Sequence, residues 1–395
     1  MARPMIAFPE LLTDPLATLG RARAAHWLAD TDHGGVAALT HAGVRELLAD
    51  GRLHADFPEF LRTFGVSAGA FYEWMAISPL NRDGVEHQRW RTVMSRTFTP
   101  RSVERLRPFL RAAADELIDG FAPRGACEFV GEFADIYPSL GLCELIGVPL
   151  ADRDRFRGWA NTIGLGFNPA VLAMRVAEID AALEALLAYT GELAARRLRE
   201  PQDDLVTRIA QAGQEAGWSD PQVHGSIAGL VFAGHETTKN QLGWMVAVLA
   251  ERPDVWDDVA AGRLAAALVV EEVLRFRSTV TTTGRTAAEA VAVGDEHLPA
   301  GTRVLLSLWS ANHDPAAYPQ PDAIAPAANE AVPHIAFGHG AHHCLGAALA
   351  RAELQDALAA LTARLTCPTL GADATWKPPV GITGPETLPI TFSAR

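Results

Sequence analysis

Residues Phe337–Gly346 read FGHGAHHCLG, and the run AALARAELQDALAALTARL follows at 347–365 with the composition of a strong helix. One cysteine, Cys344, therefore stands where a glycine-rich loop enters an alanine-rich helix. A helix amino terminus offers free N–H groups and the positive end of its dipole, which lowers a thiol pKa and stabilises a thiolate. Gly338 and Gly340 permit positive φ and a close approach to a flat ligand, and the amides after Cys344 can donate to its sulfur. Such a thiolate suits haem iron, toward which it pushes electron density. Three other readings fit the same residues. The thiol can be buried and inert; His334, His339, His342, His343 and Cys344 can form a zinc or copper site; or Cys344 can be a nucleophile with His343 as its base.

Upstream, the spacing predicts a long, mostly apolar helix over 224–250, interrupted at Ala233–Thr238 by AGHETT. Gly234 costs on the order of 1 kcal/mol relative to Ala in a helix interior, and Thr237 can turn its hydroxyl back to the carbonyl of Ala233. A loosened turn would leave room for dioxygen and an ordered water, with Glu236 and Thr237 relaying protons. The plainer alternative is a solvent-facing Glu and a capping Thr.

Both motifs resemble those of the cytochrome P450 superfamily. The loop resembles its haem-binding loop at Phe337, Gly338, Gly340, His342, Cys344 and Gly346, and AGHETT resembles its oxygen-binding helix, with Ala233 and Gly234 next to the haem. The resemblance implies that Cys344 is the axial ligand of haem b, that Phe337 lies on the proximal side, and that Glu236 and Thr237 serve reductive activation of O2. His87 and Arg91 in EHQRWR, Arg285 and His342 match the family's cations for the haem propionates. Glu272 and Arg275 in EEVLRF resemble its Glu-x-x-Arg pair, whose usual third member, an arginine, is replaced here by Ala323.

The fold implied is mainly α: one P450 domain over 1–395, a triangular helical body with a small β-rich lobe at the amino terminus, and haem between the long helix and the cysteine loop. The substrate pocket would be lined by Phe71, Trp74 and Met75, by Phe232, by Val280, Thr281, Thr282 and Thr283, and by Ile382 and Thr383. The threonine run suggests a substrate with hydrogen-bonding groups, or else threonines that satisfy backbone. With no G-x-G-x-x-G fingerprint for a fused reductase, electrons would come from a ferredoxin or flavodoxin with its NAD(P)H-dependent reductase, docking where Arg91 and Arg351 add positive charge. The expected reaction is monooxygenation of a small molecule in secondary metabolism; oxidative coupling and haem-based sensing are the alternatives.

Composition agrees. A net charge of −13 disfavours nucleic acid as the main partner. Only Lys239 and Lys377 among the 34 cations are lysines. Cys127, Cys143, Cys344 and Cys367 show no disulfide or zinc spacing, and neither a signal peptide nor a membrane span is visible, so a cytoplasmic monomer is expected. Amphipathic helices are predicted over 102–121 and 178–199, with GLGFNP at 164–169 as a hinge or simple loop before the second. Residues 290–308 read as a β-hairpin, 311–340 as a proline-broken loop, and 381–392 as short strands.

Overall fold

The computed structural model describes residues 2–97 and 99–395. The helices that carry the site are α1 (Ala70–Ile77), α2 (Gly84–Thr97), α3 (Pro100–Phe121), α4 (Tyr137–Ile146), α5 (Arg153–Gly164), α6 (Leu172–Arg199), α7 (Asp220–Ala250), α8 (Ala266–Phe276) and α9 (Ala347–Arg364). Helix α7 runs through the middle of the largest cluster of buried side chains, which joins residues from all of the other eight. It is buried on nearly every side from Ile227 to Leu249 and apolar all round except for the polar run His235–Gln241. No helix among the described residues is long and apolar enough to cross a membrane.

Helices α3 and α7 begin earlier than apolar spacing predicts, because their first turns are capped by polar groups. In α3 the Thr99 hydroxyl accepts from the Ser102 amide at 3.2 Å while the Ser102 hydroxyl accepts from the Thr99 amide at 3.1 Å, a reciprocal cap with Pro100 in the first turn. Ser219 and Gln222 cap α7 in the same way. Residues 220–222 are exposed, so hydrophobic periodicity carries no signal there.

The β-rich part draws on both ends of the sequence. Its six-stranded sheet is ordered Met5–Ile6, Leu28–Thr31, Val36–Ala38, Arg303–Ser307, Thr282–Ala287, Leu53–His54. The expected hairpin over 290–308 is shorter than its pattern. Val291–Val293 pairs with Glu296–Leu298 across a Gly294–Asp295 turn, whereas Arg303–Ser307 leaves it to run antiparallel to Thr282–Ala287 and parallel to Val36–Ala38. Local alternation cannot distinguish these partners. The tail forms strands Pro385–Thr387 and Pro389–Thr391, and between Asn312 and Gly340 only Pro326–Asn329 is helical.

Candidate active site

The cysteine loop is shaped by its glycines. Gly338 and Gly340 have φ of +69° and +72°, and a Cβ on Gly340 would stand 2.7 Å from the Leu48 carbonyl oxygen. The Cys344 amide donates to the Phe337 carbonyl at 2.9 Å, closing the loop, and α9 starts three residues later. Burial pushes the Cys344 thiol up, while the Gly346 and Ala347 amides, Arg91 and Arg351 pull it back. The side chain nevertheless counts as exposed. Both statements hold for a sulfur that opens onto a hollow within the protein mass rather than onto bulk solvent.

Beside this loop lies a concentration of positive charge. His87 and His342 stack with ring centroids 4.2 Å apart, and His342 Nε2 meets Asp83 at 2.9 Å. Arg285 is 7% exposed and its side chain donates only to neutral oxygens, the Thr283 hydroxyl and the Gly284 carbonyl. No carboxylate pairs with Arg91 or Arg285 among the described residues, and burial lowers the pKa of both. His87 is pushed down to about 4 by burial and by His342 and Arg91. A buried cation without a counter-charge is expensive, so the cluster is built for an anion.

On α7, Thr237 donates its hydroxyl to the Ala233 carbonyl at 2.6 Å, as expected, and Ala233 is open and Thr237 half-open in a turn whose other residues are mostly buried. The helix is nevertheless continuous through AGHETT, against the expected interruption. Gly234 serves packing, since a Cβ there would come within 2.8 Å of Leu142 Cδ1. Glu236 does not face solvent. It is 1% exposed and accepts from Lys239 Nζ at 2.6 Å, from Asn240 Nδ2 at 2.9 Å, and from Lys377 Nζ. Burial alone would raise its pKa; the two ammonium groups outweigh burial and hold it to about 2. Lys239 also donates to Asn161 Oδ1 at 2.6 Å, Asn161 Nδ2 to Asp135 at 3.0 Å, and Arg157 lies 3.2 Å from Asp135. This polar chain connects Glu236 to half-exposed Arg157. Sequence reasoning missed its members, although the chain's two lysines were a visible signal.

Glu272 and Arg275 form a two-pronged pair with both contacts at 2.8 Å, almost fully buried. The arginine absent at Ala323 is replaced by neutral donors: Asn329 Nδ2 and the Ala325 amide each reach Glu272 Oε1 at 2.8 Å. Arg275 donates to the carbonyls of Asn312, Pro321 and Ala323. Arg351 is paired with Glu271 at 2.7 and 2.9 Å and lies 4.6 Å over the Phe337 ring, so much of its charge is already compensated.

The expected pocket residues fall into two groups. Phe71, Trp74 and Phe232 pack together, with Met75 buried on the same helix as the first two, and Val280 bridges to Ile382. Several threonines are occupied elsewhere. Thr281 donates to the Gly381 carbonyl, Thr283 accepts from Arg285, and Thr383, wholly buried, donates to the Lys377 carbonyl; Thr282 is half-buried.

Comparison with known proteins fits this geometry. The Cytochrome P450 family model matches residues 266–377, which include the buried pair and the cysteine loop. Luteothin monooxygenase of Streptomyces thioluteus is 33% identical over 377 residues, 95% of this chain and 92% of that protein. Mycinamicin IV hydroxylase/epoxidase of Micromonospora griseorubida is 37% identical over 320 residues, 79% of each. Among solved structures, P450BioI in complex with hexadec-9Z-enoic acid ligated acyl carrier protein superposes with a TM-score of 0.90 at 28% identity, covering 97% of this chain and 99% of that one. The chain belongs to the cytochrome P450 family and is a monooxygenase of its bacterial type.

The family implies a haem-thiolate cofactor, and the residues fit one. Cys344 supplies the thiolate with two amides aimed at its sulfur, and the uncompensated Arg91 and Arg285, with His87 and His342, suit a pair of carboxylates.

Proposed function

We propose that the protein holds haem b through Cys344 and oxidises a small organic molecule in a tailoring step of secondary metabolism, as a cytoplasmic, monomeric, single-unit enzyme. The observation that carries this reading is the pair of arginines without a carboxylate partner among the described residues, Arg91 and Arg285, set with the imidazoles of His87 and His342 beside Cys344. Haem would supply activation of O2 by two electrons. The chain's own groups do the rest. Arg91, Arg285 and the imidazoles anchor the propionates, the Gly346 and Ala347 amides steady the thiolate, and Phe337 is held by Arg351. The Thr237 hydroxyl, bonded to the Ala233 carbonyl, stands one residue from Glu236, and the two would relay protons, with Lys239 and Lys377 as the ammonium groups that reach the Glu236 carboxylate. Oxidation of the substrate fits this relay better than passive gas sensing, which has no use for one.

Electrons would arrive from a ferredoxin or flavodoxin and its NAD(P)H-dependent reductase. Support comes from exposed Arg89 and Arg96 on α2 and Arg101 and Arg105 on α3, none paired with a carboxylate among the described residues. They lie on α2, which also carries Arg91, and on the helix that follows it, and add local positive charge to a protein of net charge −13. Bound to reduced, CO-treated holoprotein, a thiolate gives a strongly red-shifted Soret band. Cys344→Ala should abolish it, and retention of the band in that variant would remove Cys344 as the ligand.

A further inference from the structure

The segment GLGFNP supplies one wall of an aromatic box. Phe167 lies face to face on Phe232, with ring centroids 4.6 Å apart and planes 12° from parallel. Phe71 meets Phe167 edge-on at 5.6 Å, Phe57 lies 5.1 Å away, and Trp74 stands edge-on to Phe232 at 6.5 Å. The box is therefore a slab whose plane is set by Phe232, the residue before Ala233.

Its walls differ in how they are fixed. Phe71, Trp74 and Phe232 are buried on helices; the Phe71 amide donates to Asp180 and Trp74 Nε1 to the Gly225 carbonyl. Phe167 is half-buried on a single turn between α5 and α6, and among the described residues the hydrogen bonds of 165–169 stay within that turn, the end of α5 and the start of α6. What seats the turn is close packing. A Cβ on Gly166 would lie 2.4 Å from the Phe71 ring, and one on Gly381 would lie 2.0 Å from the Phe167 carbonyl oxygen. Such a turn can leave as a unit without breaking any long-range hydrogen bond.

We propose that the Phe167 ring is a stand-in for the substrate, and that the substrate class is one presenting a planar, unsaturated ring that takes its place on Phe232. This rests on the proposed oxidation of a small molecule and on the expected substrate pocket, to which Phe71, Trp74 and Phe232 belong. A saturated ring of equal size fills the volume but loses offset stacking, worth up to about tenfold in affinity. Phe167 thus sets a cost of entry that every ligand meets alike, and the Phe232 face it leaves favours the ligand that stacks on it.

The test is binding of a matched pair, 2-naphthol and decahydro-2-naphthol, to haem-loaded wild type and Phe167→Ala, by equilibrium dialysis and by the Soret spin shift. Both proteins should bind 2-naphthol up to about tenfold tighter than the saturated alcohol, and the alanine variant, freed of the competing ring, should bind each alcohol tighter than wild type by a similar factor. Equal affinity for the two alcohols, or no gain for either in the variant, would overturn the proposal. Phe167→Leu competes less well for the Phe232 face and gives smaller gains in the same direction if the alanine variant does not fold. The CO spectrum of each sample separates the two levels. A normal thiolate band without naphthol selectivity sinks only this inference, whereas a missing band in wild type sinks the haem-thiolate reading beneath it.

Discussion

Asn329 Nδ2 donates to Glu272 Oε1 at 2.8 Å across 57 residues of sequence, and in doing so supplies a donor where the family's third arginine is absent. The pair needs it, because a buried carboxylate short of donors is destabilised by its own desolvation. Asn329→Ala leaves that oxygen one bond short and also removes the Asn329 contacts to Gln320. The expected loss is about 1–3 kcal/mol, read as a lower midpoint in urea unfolding, with the CO-bound Soret position unchanged in the folded fraction.

Lys377→Met removes one of the two ammonium groups on Glu236. In the native protein Glu236 is depressed to about 2, below the roughly 4.3 of an unfolded glutamate. Its contribution to stability is thus complete above about pH 4.5 and is lost as pH falls toward 2. With one cation gone the carboxyl pKa rises, so acid unfolding should begin at higher pH. At neutral pH the loss should approach the lower end of about 3–5 kcal/mol for breaking a buried pair, because Lys239 remains. Acid-unfolding curves of both proteins at matched salt measure the difference.

His87 is depressed to about 4 by burial and the charges of His342 and Arg91, with Arg285 adding to them and Asp83 opposing. The unfolded histidine takes up its proton near pH 6.5, so the haem-free protein should lose stability as pH falls from about 6.5 to 4. Carboxylates bound at Arg91 and Arg285 would offset the repulsion and raise the His87 pKa. The haem-loaded protein should show a shallower decline over that window. Thermal unfolding of both forms at pH 7, 6 and 5 checks it, and parallel slopes would exclude a propionate at this cluster.

Arg96→Glu and Arg105→Glu reverse two exposed charges, on α2 and α3, outside the cysteine loop. Reduction by an acidic ferredoxin should slow by roughly threefold to tenfold at low ionic strength, and the gap should narrow near 0.5 M salt, where screening shortens the reach of surface charge. Stopped-flow reduction of the two variants against wild type reads this directly. Arg351 is a weaker target, since Glu271 already neutralises much of it.

Much of the chemistry was legible because it is written locally. FGHGAHHCLG and AGHETT are contiguous, and the bond from Thr237 to Ala233 follows from helical spacing alone. What was hidden depends on partners far apart in the chain. Lys377 reaches Glu236 across 141 residues, and strand Arg303–Ser307 joins Val36–Ala38 rather than its local neighbours. The expected break in α7 did not form because Gly234 accommodates Leu142, a tertiary demand invisible to helix propensity. The threonine run is open to two readings in sequence, substrate recognition or threonines that satisfy the chain's own groups, and the bonds of Thr281 to the Gly381 carbonyl and of Thr283 to Arg285 come from partners that the run itself does not announce.

The burial of both lysines against one carboxylate also has a practical side. Lys239 and Lys377 keep side-chain exposures of 8% and 18%, and every other fixed side-chain cation in the chain is an arginine. The protein therefore shows reagents almost no nucleophilic side-chain amine. Amine-directed acylation, crosslinking or resin coupling at neutral pH should leave Lys239 and Lys377 largely unmodified in the folded protein.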